Sequence, residues 1–532
     1  MLTLRSNAVP TPVASSAPPA ADWISTLLHA GDPAVAHRVA LATPTSAGCQ
    51  ELTYAGLDHS SAAVAAWLVR RGVAPGQRVL LQGDPSGAWV SACLGILRAG
   101  AIAVPLDPRL AADEWALVAT ASTPVAVVVA ARMRPLIAEV GLDVDVLELE
   151  SLDRLVPDSA VAAFRPGVAR AMDDPAFIVW TSGTTGRPKG VTLTYANLAY
   201  AVSRSVQAQG LDHDDRWLSV LPLNHLLELT CGLLGSLSTG ATLCFCPTLM
   251  PHEIVELLVE RRITRMMVVP LLARLLKPEL ERARPGHLRA LFSGGAPLAP
   301  ELVDAYEQLG IPLYQGYGMT ETAPTVAMNA DAHHRRASVG RPLPGTEVRI
   351  ERGSDQGGDA DGEILVRSPA VMAGYWNDDA LTREAIDADG WLHTGDLGHL
   401  DGDGFLFVTG RAKDLIVLES GKKVQPDEIE AVLQDSACFA DVCVVGVASI
   451  DGRSPGSEQV CAVVVPARPM TEDEARAEVT RLSAGLSGYK RPRVVDVWDT
   501  DASLPRTAKR SVRRTEVARQ ASARLSRRRL GP

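Results

Sequence analysis

Between residues 78 and 150 short apolar runs alternate with longer mixed ones: "RVLLQG", "GAWVSACLGILRAG", "IAVPLD", "ADEWALVATAS" and "PVAVVVAA". Short continuous apolar runs suit strands buried on both faces, and the segments between them are long enough for crossover helices. That order predicts a parallel sheet with helices on its faces. The rhythm returns between 216 and 317, where "WLSVLPL", "ATLCFCP", "MMVVP" and "LRALFSGG" read as strands and "PHEIVELLVERR" as a helix. The expected class is α/β, with a large N-terminal part whose parallel sheets are sandwiched by helices.

Gly and Asp cluster between 353 and 404 around short strands such as "GEILV" and "FLFVTG", which predicts a β-rich subdomain. After "GRAKD" at 410–414, "DEIEAVLQDS" reads as an amphipathic helix and "DVCVVGV" and "QVCAVVVP" as strands, so a small α+β C-terminal domain follows. The predicted boundaries are a leader at 1–22, a large domain at 23–412 and a mobile domain at 413–532, with the hinge near Lys413. The Pro-, Ala- and Ser-rich leader lacks the basic start and apolar core of a secretory signal, so retention in the cytoplasm is expected.

Composition narrows the class of function. With 46% hydrophobic and 21% charged residues the 532-residue chain reads as globular, and no run of eighteen apolar residues offers a membrane span. The net charge of −10 gives no attraction to nucleic acid phosphates. The Arg-rich end "ARLSRRRLGP" is expected to be solvated and partly disordered. Eight cysteines without Cys-x-x-Cys spacing suit reduced thiols, and Cys244 and Cys246 read as core residues.

The stretch "FIVWTSGTTGRPKGV" at 177–191 carries the most chemistry. Glycines let backbone N–H groups approach an anion, hydroxyls donate hydrogen bonds, and Lys189 adds a mobile positive charge. The pattern suits phosphate but is not G-x-x-x-x-G-K-[ST], because its glycines are spaced differently and Gly190 follows the lysine.

The chain resembles the adenylate-forming superfamily of acyl-CoA synthetases, peptide-synthetase adenylation domains and luciferases over residues 25–515. The motifs that carry the resemblance occur in order: "TSGTTGRPKG", "LPLNH" at 221–225, "SGGAPL" at 293–298, "QGYGMTET" at 315–322, "GWLHTGDLG" at 390–398 and "GRAKDLIVLESGKKVQPDEIE" at 410–430. It implies a nucleotide- and acyl-binding N-terminal domain, a mobile C-terminal domain and an active site between them. Thr181, Ser182, Gly183, Thr184, Thr185, Gly186 and Lys189 would hold ATP phosphates. Gly295, Ala296 and Pro297 with Gln315, Gly316, Tyr317 and Gly318 would line the adenine. Thr320 would contact phosphate or carboxylate, and Glu321, with Thr181, would serve Mg²⁺. Asp396 and Arg411 would bind the ribose, and His225 would stand beside the acyl pocket.

The resemblance further implies two steps: a carboxylate attacks ATP to give acyl-AMP, then CoA displaces AMP. The C-terminal domain turns at Lys413 between them, presenting a lysine loop first and the "SGKK" hairpin second. Ser420 and Gly421 would border the pantetheine path, and Lys422 and Lys423 would meet CoA phosphates. The "SGKKV.P.EIE" wording favours CoA ligation over a peptide-synthetase module, for which a carrier-protein segment would have to follow residue 532.

The lysine loop of such enzymes reads approximately L-P-K-T-x-x-G-K-[IV]-x-R. In "LPRTAKRSVRR" at 504–514 Leu504, Pro505, Thr507, Val512 and Arg514 match, but Ser511 stands at the lysine. Loss of one preorganised donor at a charge-bearing transition state costs about 3–4 kcal/mol, roughly a hundred- to thousand-fold in rate. The expected activity is therefore thioester formation from acyl-AMP and CoA with adenylation impaired, a separate enzyme supplying the activated acid. Two alternatives stay open. Lys509, two residues earlier and about 7 Å away in an extended segment, would restore a complete ligase, or the chain would be a silent acyl-adenylate-binding protein. The apolar "CGLLGSLSTG" and "SGGAPL" segments point to a bulky apolar acid.

Overall fold

The computed structural model describes residues 20–45, 48–155, 170–182, 188–330, 334–352, 361–418, 422–434, 436–448, 458–506 and 512–530. Two large sheets dominate. In the first, seven strands run in the order Gly374–Tyr375, Pro188–Thr194, Pro175–Ser182, Ile102–Leu106, Arg78–Gln82, Ala126–Val129 and Asp145–Glu148. The last five pair in parallel, whereas the first two are antiparallel additions at one edge. Every residue of Ile102–Leu106 and Ala126–Val129 is buried, as strands covered on both faces require.

The second sheet has nine strands, with Leu313–Tyr317, Ala290–Ser293, Arg265–Val268, Arg216–Ser219, Thr242–Phe245 and Val39–Thr45 forming its parallel centre. Helices Tyr54–Arg70, Gly87–Arg98 and Tyr195–Gln209 share one apolar core with residues of both sheets. Each has a hydroxyl cap where its preceding strand or loop ends: Thr53, Ser86 and Thr194 accept from the N–H three residues on. Asn197 returns the bond to Thr194, completing a capping box.

Glu347–Glu351, Gly362–Arg367, Leu392–Leu400 and Leu406–Arg411 form the β-rich unit, an antiparallel four-stranded sheet with a small core of its own. Beyond Lys413 the chain packs around a three-stranded sheet, Phe439–Ala448, Glu458–Pro466 and Val494–Val497. Helices Pro426–Leu433 and Glu472–Leu482 cover one face, and Arg514–Leu530 the other. The α/β class, the large N-terminal body and the small α+β C-terminal domain are as expected from the sequence.

Two expectations need correction. Helix Ala20–Leu27 starts within the last three residues assigned to the leader, and Ile24, Leu27 and Leu28 are buried in the main core. The Arg-rich end, expected to be partly disordered, lies within helix Arg514–Leu530 through residue 530. Val517 and Ala521 bury one side of that helix, and Arg524 bonds Asp496 and the Val497 carbonyl. Sparse apolar residues concealed that anchoring face in the sequence. All eight cysteines are free; Cys244 is buried and Cys246 packs against the same core. No helix among the described residues is long and apolar enough to cross a membrane.

Candidate active site

Thr181 and Ser182 end strand Pro175–Ser182, and the chain returns antiparallel through Pro188–Thr194 with Lys189 directly opposite Thr181. Gly183, Thr184, Thr185 and Gly186 lie outside the described residues. Gly190 passes beneath Trp376, where an added methyl would come within 3.1 Å of the Trp376 Cβ.

Strand Leu313–Tyr317 lies two strands from Arg265–Val268 in the other sheet and carries Gln315, Gly316 and Tyr317. Gly295, Ala296 and Pro297 follow Ala290–Ser293, the strand beside it, as an exposed turn. Gly318 admits no side chain, because a Cβ there would lie 1.8 Å from the Pro324 carbonyl oxygen. Thr320 and Glu321 then open a short 3₁₀ turn, Thr320–Thr322, and Glu321 is buried.

The β-rich sheet brings Asp396 opposite Arg411 across paired strands. Arg411 Nε lies 3.0 Å from Asp396 Oδ1, and the Tyr317 hydroxyl donates to Oδ2 at 2.7 Å. Burial pushes the Asp396 carboxyl up, against the pull of Arg411 and the Tyr317 hydrogen bond. Burial together with the Asp396 charge holds the Tyr317 hydroxyl well above the ordinary tyrosine range. Lys413 follows in a 3₁₀ turn; burial and the Arg411 charge hold its ammonium below the usual lysine range, with Lys189 adding to the effect. Arg411 and Lys413 thus gather positive charge around one buried carboxylate, with Lys189 in electrostatic reach of Lys413, which suits a polyanion.

His225 accepts at its carbonyl from Glu228 and Leu229 and so starts Leu227–Leu234, a π-helix that the sequence did not reveal. Such wide turns recur at functional sites. Leu227 reaches Gly294, where an added methyl would sit 3.2 Å from Leu227 Cδ2, so the π-helix that follows "LPLNH" packs on "SGGAP". His225 also lies within electrostatic reach of Asp107, which Arg109 hydrogen bonds hold low against its burial.

In the C-terminal domain, Ser420 and Gly421 lie outside the described residues. Lys423 pairs with Val417 in a two-stranded hairpin, and Lys422 is exposed with its ammonium 4.4 Å from the Tyr489 ring centroid. Arg506 and Val512 face each other as an antiparallel bridge; Lys509 and Ser511 lie outside the described residues. Arg514 anchors the start of helix Arg514–Leu530 through Asp427 at 2.6 Å, Glu430 and the Val444 carbonyl, with Asp414, next to Lys413, 3.5 Å away.

A family model described as AMP-binding enzyme matches residues 31–376. The chain belongs to the AMP-binding enzyme family. It is 35% identical to an indoleacetate–CoA ligase of Aromatoleum aromaticum over 485 residues, 88% of this chain and 93% of that protein. The fold of ATP-bound MatB from Rhodopseudomonas palustris superposes with a TM-score of 0.82 at 30% identity, covering 94% of this chain and 99% of MatB. The o-succinylbenzoate CoA synthetase MenE of Bacillus subtilis, solved with its acyl-adenylate OSB-AMP, gives 0.82 at 27% identity over 94% of this chain and 98% of MenE. Family membership, together with relatives named as CoA ligases and synthases over most of its length, makes the chain a ligase of the acyl-CoA synthetase type.

Two residues near this site escaped the sequence reading. Tyr375 lies 54 positions from its partner Glu321, and Glu228 sits inside an apolar run. Neither had a local pattern to mark it.

Proposed function

We propose that this chain forms an acyl-CoA thioester by moving the acyl group of an acyl-adenylate onto CoA, and that its own adenylation of the free acid is impaired. The observation that carries the second half is Ser511 at the register of the motif lysine. The Arg506–Val512 pairing and the Arg514 anchor on either side support the ungapped register.

Adenylation brings a carboxylate against a triphosphate, and without a bridging ammonium the charge at the transition state goes unmet. In the thioester step the CoA sulfur forms a C–S bond to the acyl carbon. The C–O bond to AMP breaks, AMP leaves with the electron pair, and the thiol proton passes to solvent. Tyr317, Asp396 and Arg411 would hold the AMP moiety for that step. Mg²⁺, when bound, neutralises phosphate charge; the carboxylate of Glu321 is the hard oxygen ligand such a cation takes beside phosphates, and Thr181 would offer a hydroxyl. Lys413 would serve as the hinge, and Lys422 and Lys423 would meet CoA.

We infer a bulky apolar acid, supported by Leu227 against Gly294 and by a relative whose name specifies indoleacetate. A complete ligase using Lys509 is the second reading, favoured by the intact pairing of Thr181 with Lys189 and the buried Glu321.

Two assays decide. Indoleacetic and o-succinylbenzoic acids with ATP report pyrophosphate release; the corresponding synthetic acyl-AMPs with CoA report thioester. The proposal expects product in the second assay and little in the first. Pyrophosphate release at a normal rate that Lys509→Ala abolishes establishes the complete ligase. Binding of acyl-AMP without thioester leaves the silent binding protein.

A further inference from the structure

Tyr375 belongs to none of the six motifs, yet its side chain touches two of them. It lies on the two-residue edge strand Gly374–Tyr375, opposite Val191 of the strand that carries Lys189. Its hydroxyl donates to Glu321 Oε1 at 2.9 Å, and the Lys189 ammonium lies 5.3 Å from its ring centroid.

The backbone around Tyr375 ties the same two segments. Met372 N–H donates to the Glu321 carbonyl at 2.9 Å, and Trp376 N–H to the Gly190 carbonyl at 2.7 Å. Tyr375 N–H donates to Thr382 Oγ1 at 2.8 Å, which fixes the strand from its outer side. A tyrosine needed only for packing would satisfy its hydroxyl on any carbonyl. This one bonds the carboxylate and offers its ring face to the cation of the phosphate loop.

We propose that Tyr375 is a positioning residue for the metal–phosphate end of the nucleotide, setting the orientation of the Glu321 carboxylate through its hydroxyl and holding the Lys189 ammonium through its ring. The inference rests on the reading that Glu321 serves Mg²⁺ and Lys189 the phosphates. Because the two contacts use different parts of one side chain, they can be removed separately. Tyr375→Phe deletes the first and keeps the ring, whereas Tyr375→Leu deletes both.

Calorimetric binding of ATP with and without Mg²⁺, and of AMP, to the full-length protein tests this without depending on turnover. Tyr375→Phe is expected to cut the Mg²⁺-dependent gain in ATP affinity about tenfold and to leave metal-free ATP and AMP unchanged. Tyr375→Leu is expected to weaken metal-free ATP by a further factor of about three, again sparing AMP. Wild-type Mg²⁺ dependence in Tyr375→Phe overturns the proposal, as does an equal loss of AMP and ATP affinity in both variants, which marks a purely structural residue. If Tyr375→Leu does not fold, Tyr375→Phe alone decides. Glu321→Gln separates the premise from the inference: undiminished Mg²⁺ dependence there refutes the metal role of Glu321 and with it the role of Tyr375. Failure of acyl-AMP and CoA to yield thioester bears only on the proposed reaction.

Discussion

Tyr317 and Asp396 belong to different sheets, and the 2.7 Å hydrogen bond between them joins the large N-terminal sheet to the β-rich unit at the candidate site. With Arg411 on the other carboxylate oxygen, Asp396 is held from both sides and stays 4% exposed. A hydrogen-bonded charged group of this kind contributes about 1.5–3 kcal/mol. Asp396→Asn should therefore weaken AMP binding by about tenfold or more, measured by calorimetry, while Tyr317→Phe, which keeps the ring, should cost less.

Restoring the missing ammonium is the direct check on the reaction. Ser511→Lys should raise pyrophosphate release from acid and ATP by roughly a hundred- to thousand-fold. Thioester formation from acyl-AMP and CoA should stay within a factor of about two, because that step does not use the charge. Stopped-flow or coupled assays on the same preparation compare the two rates.

Glu228 should make stability depend on pH. The residue is fully buried, and its Oε1 accepts from the Trp217 indole at 3.0 Å. Burial pushes its carboxyl up to about 8 from an ordinary 4.5, the Trp217 hydrogen bond opposing. Between those values the folded chain binds a proton that the unfolded chain has released, so stability falls as pH rises. The slope is roughly 1.4 kcal/mol per pH unit while the states differ by one proton. Denaturation curves from pH 5 to pH 9 should lose this component in Glu228→Gln. The variant should match wild type near pH 5 and exceed it at pH 9.

Arg514→Met should loosen the C-terminal domain. It removes the cation shared by Asp427, Glu430 and Asp414, and a half-buried pair broken on one side costs about 3 kcal/mol. Hydrogen exchange should rise in strand Phe439–Ala448, which Arg514 bonds at the Val444 carbonyl, with the two large sheets unchanged.

How much was legible in the sequence differs between the fold and the site. Strands such as Ala126–Val129 are apolar throughout because both faces are covered, so their class and order could be read from residue type alone. Motif residues such as Lys189 and Asp396 were found because each lies within a dense local pattern of glycine, hydroxyl and charge. Tyr375 and Glu228 had no such pattern, since their meaning lies in partners 54 and 11 positions away. The π-helix at Leu227–Leu234 was hidden for another reason: a uniformly buried helix has no polar face to reveal its period.

By itself, then, the order of residues determined an α/β chain of the acyl-CoA synthetase type, a glycine- and hydroxyl-rich loop suited to phosphate and a serine at the lysine register, because local composition encodes each of these. Only the tertiary structure decided that Lys189 stands opposite Thr181, that Tyr317 and Arg411 converge on Asp396, and that Tyr375 joins Glu321 to Lys189. The Tyr317–Asp396 and Tyr375–Glu321 contacts join segments far apart in the chain, and long-range register comes from packing against a shared core, which no local pattern carries.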